Sequence, residues 1–251
     1  NPSLENPPWG LIEPDPLAYV TPILEEAFRS RNRDEWIEKL RLHDVPCQPI
    51  QTRQEFLLSD LAKSNSVIET IEHPELGQLS MPTQPLQLGA CPAAKILPAP
   101  ALGADTDEVM QEQHVPGGGS GQGGSPLDGV WAVDLASFIA GPVITRHLAM
   151  LGADVIKVEP DSGDPFRTFS PMFNGWNQGK RGVVLDLKEE VGREFLYKMV
   201  ATSDVVVENF RPGVAERLGC APDDLRSVSD DLILVKSPGY GFDESRADQP
   251  A

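Results

Sequence analysis

Several residues with complementary chemistry stand directly after short apolar runs in the second half of this 251-residue chain. Lys188 follows Val183-Val184-Leu185-Asp186-Leu187, and Asn209-Phe210-Arg211 follows Val205-Val206-Val207-Glu208. Arg217 comes one or two helical turns later. A cation, an amide and a flat aromatic face together suit a phosphorylated adenine nucleotide, because guanidinium and ammonium groups hold phosphate oxygens and a ring stacks on a base. Ala136–Gly141, Glu159–Asp164 and Ser237–Gly241 follow three further apolar runs in the same way. The residue types alone leave a plainer reading open, with Lys188 and Arg217 as surface charges and Phe210 as core. A nicotinamide dinucleotide is disfavoured, since the first strand–helix turn lacks the GxGxxG pattern.

The elements that must position these groups alternate. Val130–Asp134, Asp154–Val158, Gly182–Leu187, Asp204–Val207 and Leu232–Val235 read as strands. Gly141–Leu151 and Glu189–Thr202 read as helices, and Pro212–Leu218 and Pro222–Val228 as short helices that each start on a proline. Periodicity places Val143, Ile144, Leu148 and Leu151 on one face of the first, and Val191, Phe195, Met199 and Val200 on the buried face of the second. Parallel neighbours need crossover connections, so this alternation predicts a doubly wound, mostly parallel α/β sheet. Ligands of such sheets sit beyond the carboxyl ends of the strands, where the polar groups named above fall.

The first half has a different texture. Residues 1–20 are proline-rich, and Thr21-Pro22 reads as a helix start running to about Ser30. Asn32 with Glu35, and Thr52 with Glu55, have capping-box spacing ahead of two more helices. Val67–His73 and Gln78–Met81 flank a Pro-Glu-Leu-Gly turn, predicting two strands. Residues 82–104 read as an extended arm, and Thr106–Met110 starts a short helix. The halves are joined by Gly117–Ser125, in which six of nine residues are glycine. Such a run cannot bury enough surface to offset its ordering entropy, so it predicts a tether spanning roughly 16 Å root-mean-square. It is not a phosphate-binding loop, because no strand leads into it and no Lys-Ser/Thr pair follows.

Composition narrows the function classes. There are 21 basic and 38 acidic residues, a net charge of −17. Residues 1–116 carry 8 basic against 18 acidic side chains, and residues 126–251 carry 13 against 20. Neither half offers a basic face for a nucleic-acid backbone. Any anionic ligand must rely on a few local cations and backbone N–H groups. Cys47, Cys91 and Cys220 are too widely spaced for a disulfide framework or a zinc site and read as reduced, buried thiols of a cytoplasmic protein. His43, His73, His114 and His147 lack metal-ligand spacing, so no metal is expected. No run of 18 apolar residues or signal peptide is present, which predicts no membrane partner.

Longer matches add a resemblance. Pro126–Val130, Asp134-Leu135, Ala140-Gly141-Pro142, Leu151–Glu159 and Gly163-Asp164-Pro165 occur in order. Asn177, Lys180-Arg181, Leu185–Lys188, Val207–Gly213 and Arg217-Leu218-Gly219 follow. This series resembles the amino-terminal half of family III CoA-transferases, the CaiB/BaiF type that includes formyl-CoA and carnitine CoA-transferases. Residues 45–50, 73–77, 99–103 and 106–109 resemble the same family's carboxy-terminal segment. The order is therefore inverted: family tail (1–116), tether (117–125), family head (126–251). A natural tandem of two family units and an engineered join both fit, and the tandem is the favoured account.

The resemblance implies a large domain of Rossmann-like α/β architecture, with a mixed helix and hairpin segment from the family's carboxy-terminal end. It implies coenzyme A or acyl-CoA as substrate, a carboxylic acid as acceptor, and an interlocked homodimer or intramolecular pair. Carried over by position, the CoA contacts fall on Ile139, Ala140, Leu185, Lys188, Asn209, Phe210, Arg217, Leu218 and Pro238-Gly239-Tyr240-Gly241. Family members can have Gln at Ile139, a basic residue at Pro160 and Lys at Pro238, so polar contacts are lost at those positions. The family's aspartate nucleophile attacks the thioester and passes CoA on through a mixed anhydride and an enzyme-bound thioester. It follows a glycine some tens of residues after the Gly-Tyr-Gly loop, a region outside this chain, so this chain alone is expected to be inactive. Two alternatives remain at this stage. One is an α-methylacyl-CoA racemase, which shares the fold and CoA site. The other is a non-catalytic CoA-binding or scaffolding unit of a tandem protein.

Overall fold

A computed structural model describes residues 14–91, 95–112 and 124–241. Seven residues of the expected tether, 117–123, lie outside the described residues. The chain divides into two compact units, Asn1–Leu61 and Ala62–Ala251.

The first unit is helical. Helix α1 (Pro14–Arg29) begins before the expected start at Thr21 and carries Pro22 in its interior. A proline removes one backbone donor, and here the helix continues on both sides of that gap. Helices α2 (Arg33–Leu42) and α3 (Arg53–Leu58) both start on the capping boxes read from the sequence. The Asn32 side chain accepts from the Glu35 N–H at 3.0 Å, and Glu35 accepts from the Asn32 N–H at 3.1 Å. Phe28 and Trp36 meet edge-on at 5.0 Å and tie α1 to α2.

Helix α4 (Asp60–Ser64) spans the division between the units. In the second unit, β1 (Ile68–His73) and β2 (Gly77–Pro82) form an antiparallel hairpin with His73 opposite Gly77. Helix α5 (Thr106–Gln111) then precedes β3 (Trp131–Asp134) and α6 (Ala140–Met150). After β4 (Asp154–Glu159) come a 3-10 turn at Pro165–Thr168 and α7 (Ser170–Asn177), neither of which the sequence reading anticipated. The chain continues through β5 (Arg181–Val184), α8 (Glu190–Val200), β6 (Val205–Glu208), α9 (Val214–Leu218), α10 (Pro222–Arg226) and β7 (Ile233–Lys236).

Strands β3–β7 form one parallel sheet in the order β5-β4-β3-β6-β7. The chain winds outward from β3 in one direction and returns to the other side for β6 and β7. This is a doubly wound α/β fold, and its strand order reverses between β3 and β6. Alternate strand residues face opposite layers. Val133, Ile156, Val183 and Val206 pack with Leu196, Met199 and Val200 of α8 on one face. Ala132, Val155, Val205 and Val207 pack with Ile144 and Leu148 of α6 on the other.

Helix α8 turns differently from its apolar stripe. The buried face of α8 is Gly192, Leu196, Met199 and Val200, while Val191 is 63% exposed and Phe195 is half-buried. Close approach of Gly192 to the backbone of Asp186 sets this rotation. Helix α6 buries Gly141, Pro142, Thr145, Arg146, Ala149 and Met150, and leaves Val143, Ile144, Leu148 and Leu151 only partly covered. A hydrogen bond from Thr145 to a buried carboxylate and contact of Gly141 with Ala136 decide that orientation.

The segment before the glycine run is part of this unit. Asp105 exchanges hydrogen bonds with Gly182, its N–H donating at 2.9 Å and its carboxylate accepting at 2.7 Å. The Val184 N–H donates to Thr106 Oγ1, and Glu112 takes two hydrogen bonds from Arg181 at 2.8 Å. Val109 of α5 is buried in the core beside Val183. The edge strand β5 is thereby covered rather than left open for pairing. The three cysteines are free, but only Cys220 is fully buried, and burial pushes its thiol up to about 12.

Candidate functional site

A cleft of about 490 Å³ opens at the carboxyl ends of β3, β4, β5 and β6. Leu135–Ser137 come from the loop after β3, and Lys157–Pro165 from the end of β4 and the loop beyond it. Leu185–Lys188 follow β5, Phe210 follows β6, and Leu218 ends α9. The sheet's order reversal places β3 and β6 side by side, and their loops must diverge there. Asn209 holds them together. Its Oδ1 accepts from the Ser137 N–H at 2.9 Å, and its Nδ2 donates to the Ser137 carbonyl at 2.8 Å.

Beneath the cleft lies a buried network of charges. Lys157 stands in the middle of a strand covered on both faces, and its side chain is 1% exposed. Its ammonium donates to Asp164 at 3.0 Å and to the Ala136 carbonyl at 2.9 Å. Next to it in register, Asp134 receives Lys180 at 2.8 Å and Thr145 Oγ1 at 2.7 Å. Lys180 also donates to Asn177 Oδ1 at 2.8 Å and to the Pro142 carbonyl at 3.0 Å. Glu159 takes a paired contact from Arg167 and the N–H of Asp164. Burial pushes the Lys180 ammonium down to about 8, against the opposing pull of Asp134. Burial also acts to raise the Asp134 carboxyl, but Lys180 and Lys157 outweigh it and hold it below the usual carboxylate range.

These pairs satisfy one another and shape the cleft floor. Lys188 remains as an exposed lining cation with no ion pair among the described residues. Its N–H donates to Asp186 Oδ1 at 2.9 Å, which fixes the turn that carries it. Phe210 is half-buried at the wall, and its N–H donates to Glu208. Lys188 can hold a phosphate and Phe210 and Leu218 can face an apolar or planar group, which suits a nucleotide ligand. Among the described residues no group of His, Cys, Asp and Glu is placed to hold a metal ion, and no helix is long and apolar enough to cross a membrane.

Of the twelve residues singled out from the sequence, Leu185, Lys188, Phe210 and Leu218 line this cleft. Asn209 spans the loops beside it. Ile139 and Ala140 are exposed at the start of α6, and Arg217 is exposed on α9. Pro238–Gly241 form a turn beyond β7, closed by the Gly241 N–H on the Pro238 carbonyl at 3.1 Å. They lie outside the cleft lining. The buried Asp134, Lys157, Asp164 and Lys180 were not singled out as site residues, although Lys157 carried a signal: a charge inside an otherwise apolar run of a doubly covered strand requires a partner.

The family model described as CoA-transferase family III matches residues 13–106 and 127–251. The chain belongs to CoA-transferase family III. The two matched stretches are separated by a segment that contains the glycine run. Among curated family members, the chain is 40% identical over 134 residues to acetyl-CoA:oxalate CoA-transferase of Acetobacter aceti, covering 50% of this chain and 34% of that protein. It is 37% identical over 135 residues to a probable fatty acyl-CoA transferase, Rv3272, of Mycobacterium tuberculosis, covering 50% and 34%. A crystal structure of that M. tuberculosis protein aligns with a TM-score of 0.48 at 38% identity, covering 51% of this chain and 37% of the other. The chain thus spans about a third of the length of the curated family members it matches.

In this family member, the clamp at Asn209 is a positioning feature that can be tested. Asn209→Ala removes both bonds and strands the Ser137 N–H and carbonyl in a part-buried loop. The expected loss is about 1–3 kcal/mol of stability, read from urea unfolding. Unchanged stability would mean that water replaces the clamp without cost.

Proposed function

We propose that this chain supplies the CoA-binding part of a transferase that moves CoA from an acyl-CoA to a carboxylic acid. The observation that carries the reading is the family match over both stretches. The cleft supports it, because its exposed cation and aromatic wall stand at the strand ends where a nucleotide is held. Lys188 takes a phosphate of CoA, Phe210 and Leu218 face the adenine or the pantetheine arm, and the Asn209 clamp sets the loops around the ligand.

In the proposed reaction a carboxylate attacks the thioester carbonyl and CoA leaves as the thiolate, forming a mixed anhydride. The thiolate then attacks the enzyme's acyl carbon, and the donor's carboxylate departs. The acceptor carboxylate attacks the resulting enzyme thioester and expels the thiolate, giving a second mixed anhydride. The thiolate then attacks the acceptor's acyl carbon, forming the new acyl-CoA and releasing the enzyme's carboxylate. We assign the attacking carboxylate to an aspartate outside these 251 residues. The two matched stretches then represent a family tail joined to a family head, as in a tandem of two units, and the complete protein pairs such units.

The chain itself provides the test. Calorimetry with CoA is expected to show binding, and an acyl-CoA transfer assay with oxalate or succinate as acceptor is expected to show no turnover. Turnover by the chain alone would overturn the assignment of the nucleophile. Absence of CoA binding would overturn the CoA site and favour a scaffolding unit.

A further inference from the structure

The loop after β3 carries a conformation that the network described above does not require. Phe138 has φ of +65°, in the left-handed region that bulky side chains rarely adopt. Its neighbour Ser137 is held through both backbone groups by Asn209, so the surrounding structure enforces the strain. Strain of this kind concentrates at sites that hold a ligand. Here it presents a ring to solvent, since Phe138 is 51% exposed.

That ring does not stand alone. Phe138 meets Phe166 edge-on at 5.4 Å, and Phe166 meets Phe169 at 5.9 Å. Phe169 is 61% exposed, and Ile139 beside Phe138 is 45% exposed. Single exposed apolar residues are ordinary, but contiguous rings on one rim mark a binding surface. The rim continues the cleft, because Ser137 and Pro165, the chain neighbours of Phe138 and Phe166, both line it. Residues 135–140 contain no charged side chain. Arg167, the nearest cation in sequence to these rings, is turned onto Glu159 and the face of Phe173.

We propose that Phe138, Phe166 and Phe169 seat the apolar acyl group of a medium-chain or aromatic acyl-CoA. The inference rests on the CoA-site reading and names the substrate class for that site. The cleft holds the charged nucleotide end, and the three rings cover the aliphatic or aromatic tail. A dicarboxylic acyl group is disfavoured, because its free carboxylate would lose water against three rings while Arg167, next to Phe166 in the chain, is already paired with Glu159.

Calorimetry on the 251-residue chain with CoA, succinyl-CoA and octanoyl-CoA tests it. Octanoyl-CoA is expected to bind about tenfold more tightly than CoA, the gain from burying roughly two methylenes' worth of surface. Succinyl-CoA is expected to bind no more tightly than CoA. Phe138→Asn tolerates the left-handed backbone and removes the ring, and Phe169→Ala trims an exposed ring. Both are expected to bring the octanoyl-CoA to CoA affinity ratio toward one, with circular dichroism melts confirming that they fold. Equal affinities for the three ligands, tighter binding of succinyl-CoA, or a ratio preserved in both variants would overturn the acyl seat while leaving the CoA site standing. If CoA and octanoyl-CoA both fail to bind, the CoA-site reading falls and the acyl seat falls with it.

Discussion

Lys180→Met is expected to destabilise the second unit by about 3–5 kcal/mol, enough to unfold a marginal domain. Lys180 and Asp134 are both fully buried and 2.8 Å apart. Removing the ammonium leaves a fully buried carboxylate with Thr145 and the Ala136 N–H as its remaining close donors. Lys157 lies near enough to lower the Asp134 pKa but makes its own contacts with Asp164 and Ala136. The cost therefore comes from stranding one charge, and not from the net worth of the pair. The double variant Asp134→Asn/Lys180→Met separates the two. Asn keeps an acceptor for the Ala136 N–H and a donor for Thr145 without a charge. Urea unfolding is expected to show that the double variant recovers at least half of the loss. A double variant as unstable as Lys180→Met would mean that the ion pair itself carries the stability.

This network also shows where sequence reading reaches and where it stops. The five parallel strands and the principal crossover helices were legible, because short apolar runs separated by capped, amphipathic segments admit few other arrangements. Capping boxes at Asn32 and Thr52 were legible for the same reason: each is a local pattern closed within four residues. Helix α7 was not, since Ser-Pro-Met-Phe-Asn-Gly-Trp-Asn has weak helix formers and a central glycine, and its burial of Phe173, Asn174 and Asn177 comes from tertiary contact. Helix rotation was missed at α8 for a related reason. An apolar stripe gives the direction of lowest transfer energy, but a glycine contact fixes a different angle.

The site followed the same division. Lys188, Asn209 and Phe210 were found because they stand at strand ends, a property of local order along the chain. The pairing of Asp134 with Lys180 joins residues 46 apart, and that of Asn209 with Ser137 joins residues 72 apart. Such distances are set by which strands are neighbours, and the order β5-β4-β3-β6-β7 becomes available only once the sheet is assembled. Resemblance supplied Leu185 as a ligand contact, whereas Asn209 was read from its place after β6 as an amide for a ligand. The structure adds a clamp between the two loops that flank the order reversal, which gives that residue a task before any ligand arrives.

Gly192→Ala is expected to be the other severe substitution, and its effect reaches the cleft. A Cβ at Gly192 would lie 2.1 Å from the Asp186 carbonyl oxygen and 2.7 Å from its carbon. Both are backbone atoms, so no rotamer change relieves the overlap. Either the first turn of α8 lifts off the sheet or the turn at Asp186 moves. The first uncovers Leu196 and Val200, which are fully buried. The second displaces Leu185–Lys188, the stretch that places Lys188 at the cleft. The expected cost is about 3 kcal/mol, at the upper end of overpacking effects, with CoA binding weakened in the fraction that folds. Gly175→Ala is the internal control, because a Cβ there meets nothing within 4 Å and the position lies inside α7. Helix propensity alone acts at that site, and the expected result is a gain of about 1 kcal/mol. Thermal melts of the two alanine variants should therefore move in opposite directions. A Gly192→Ala protein as stable as the parent would show that α8 is not seated on the Asp186 backbone, and that something other than this contact turns Val191 out to solvent.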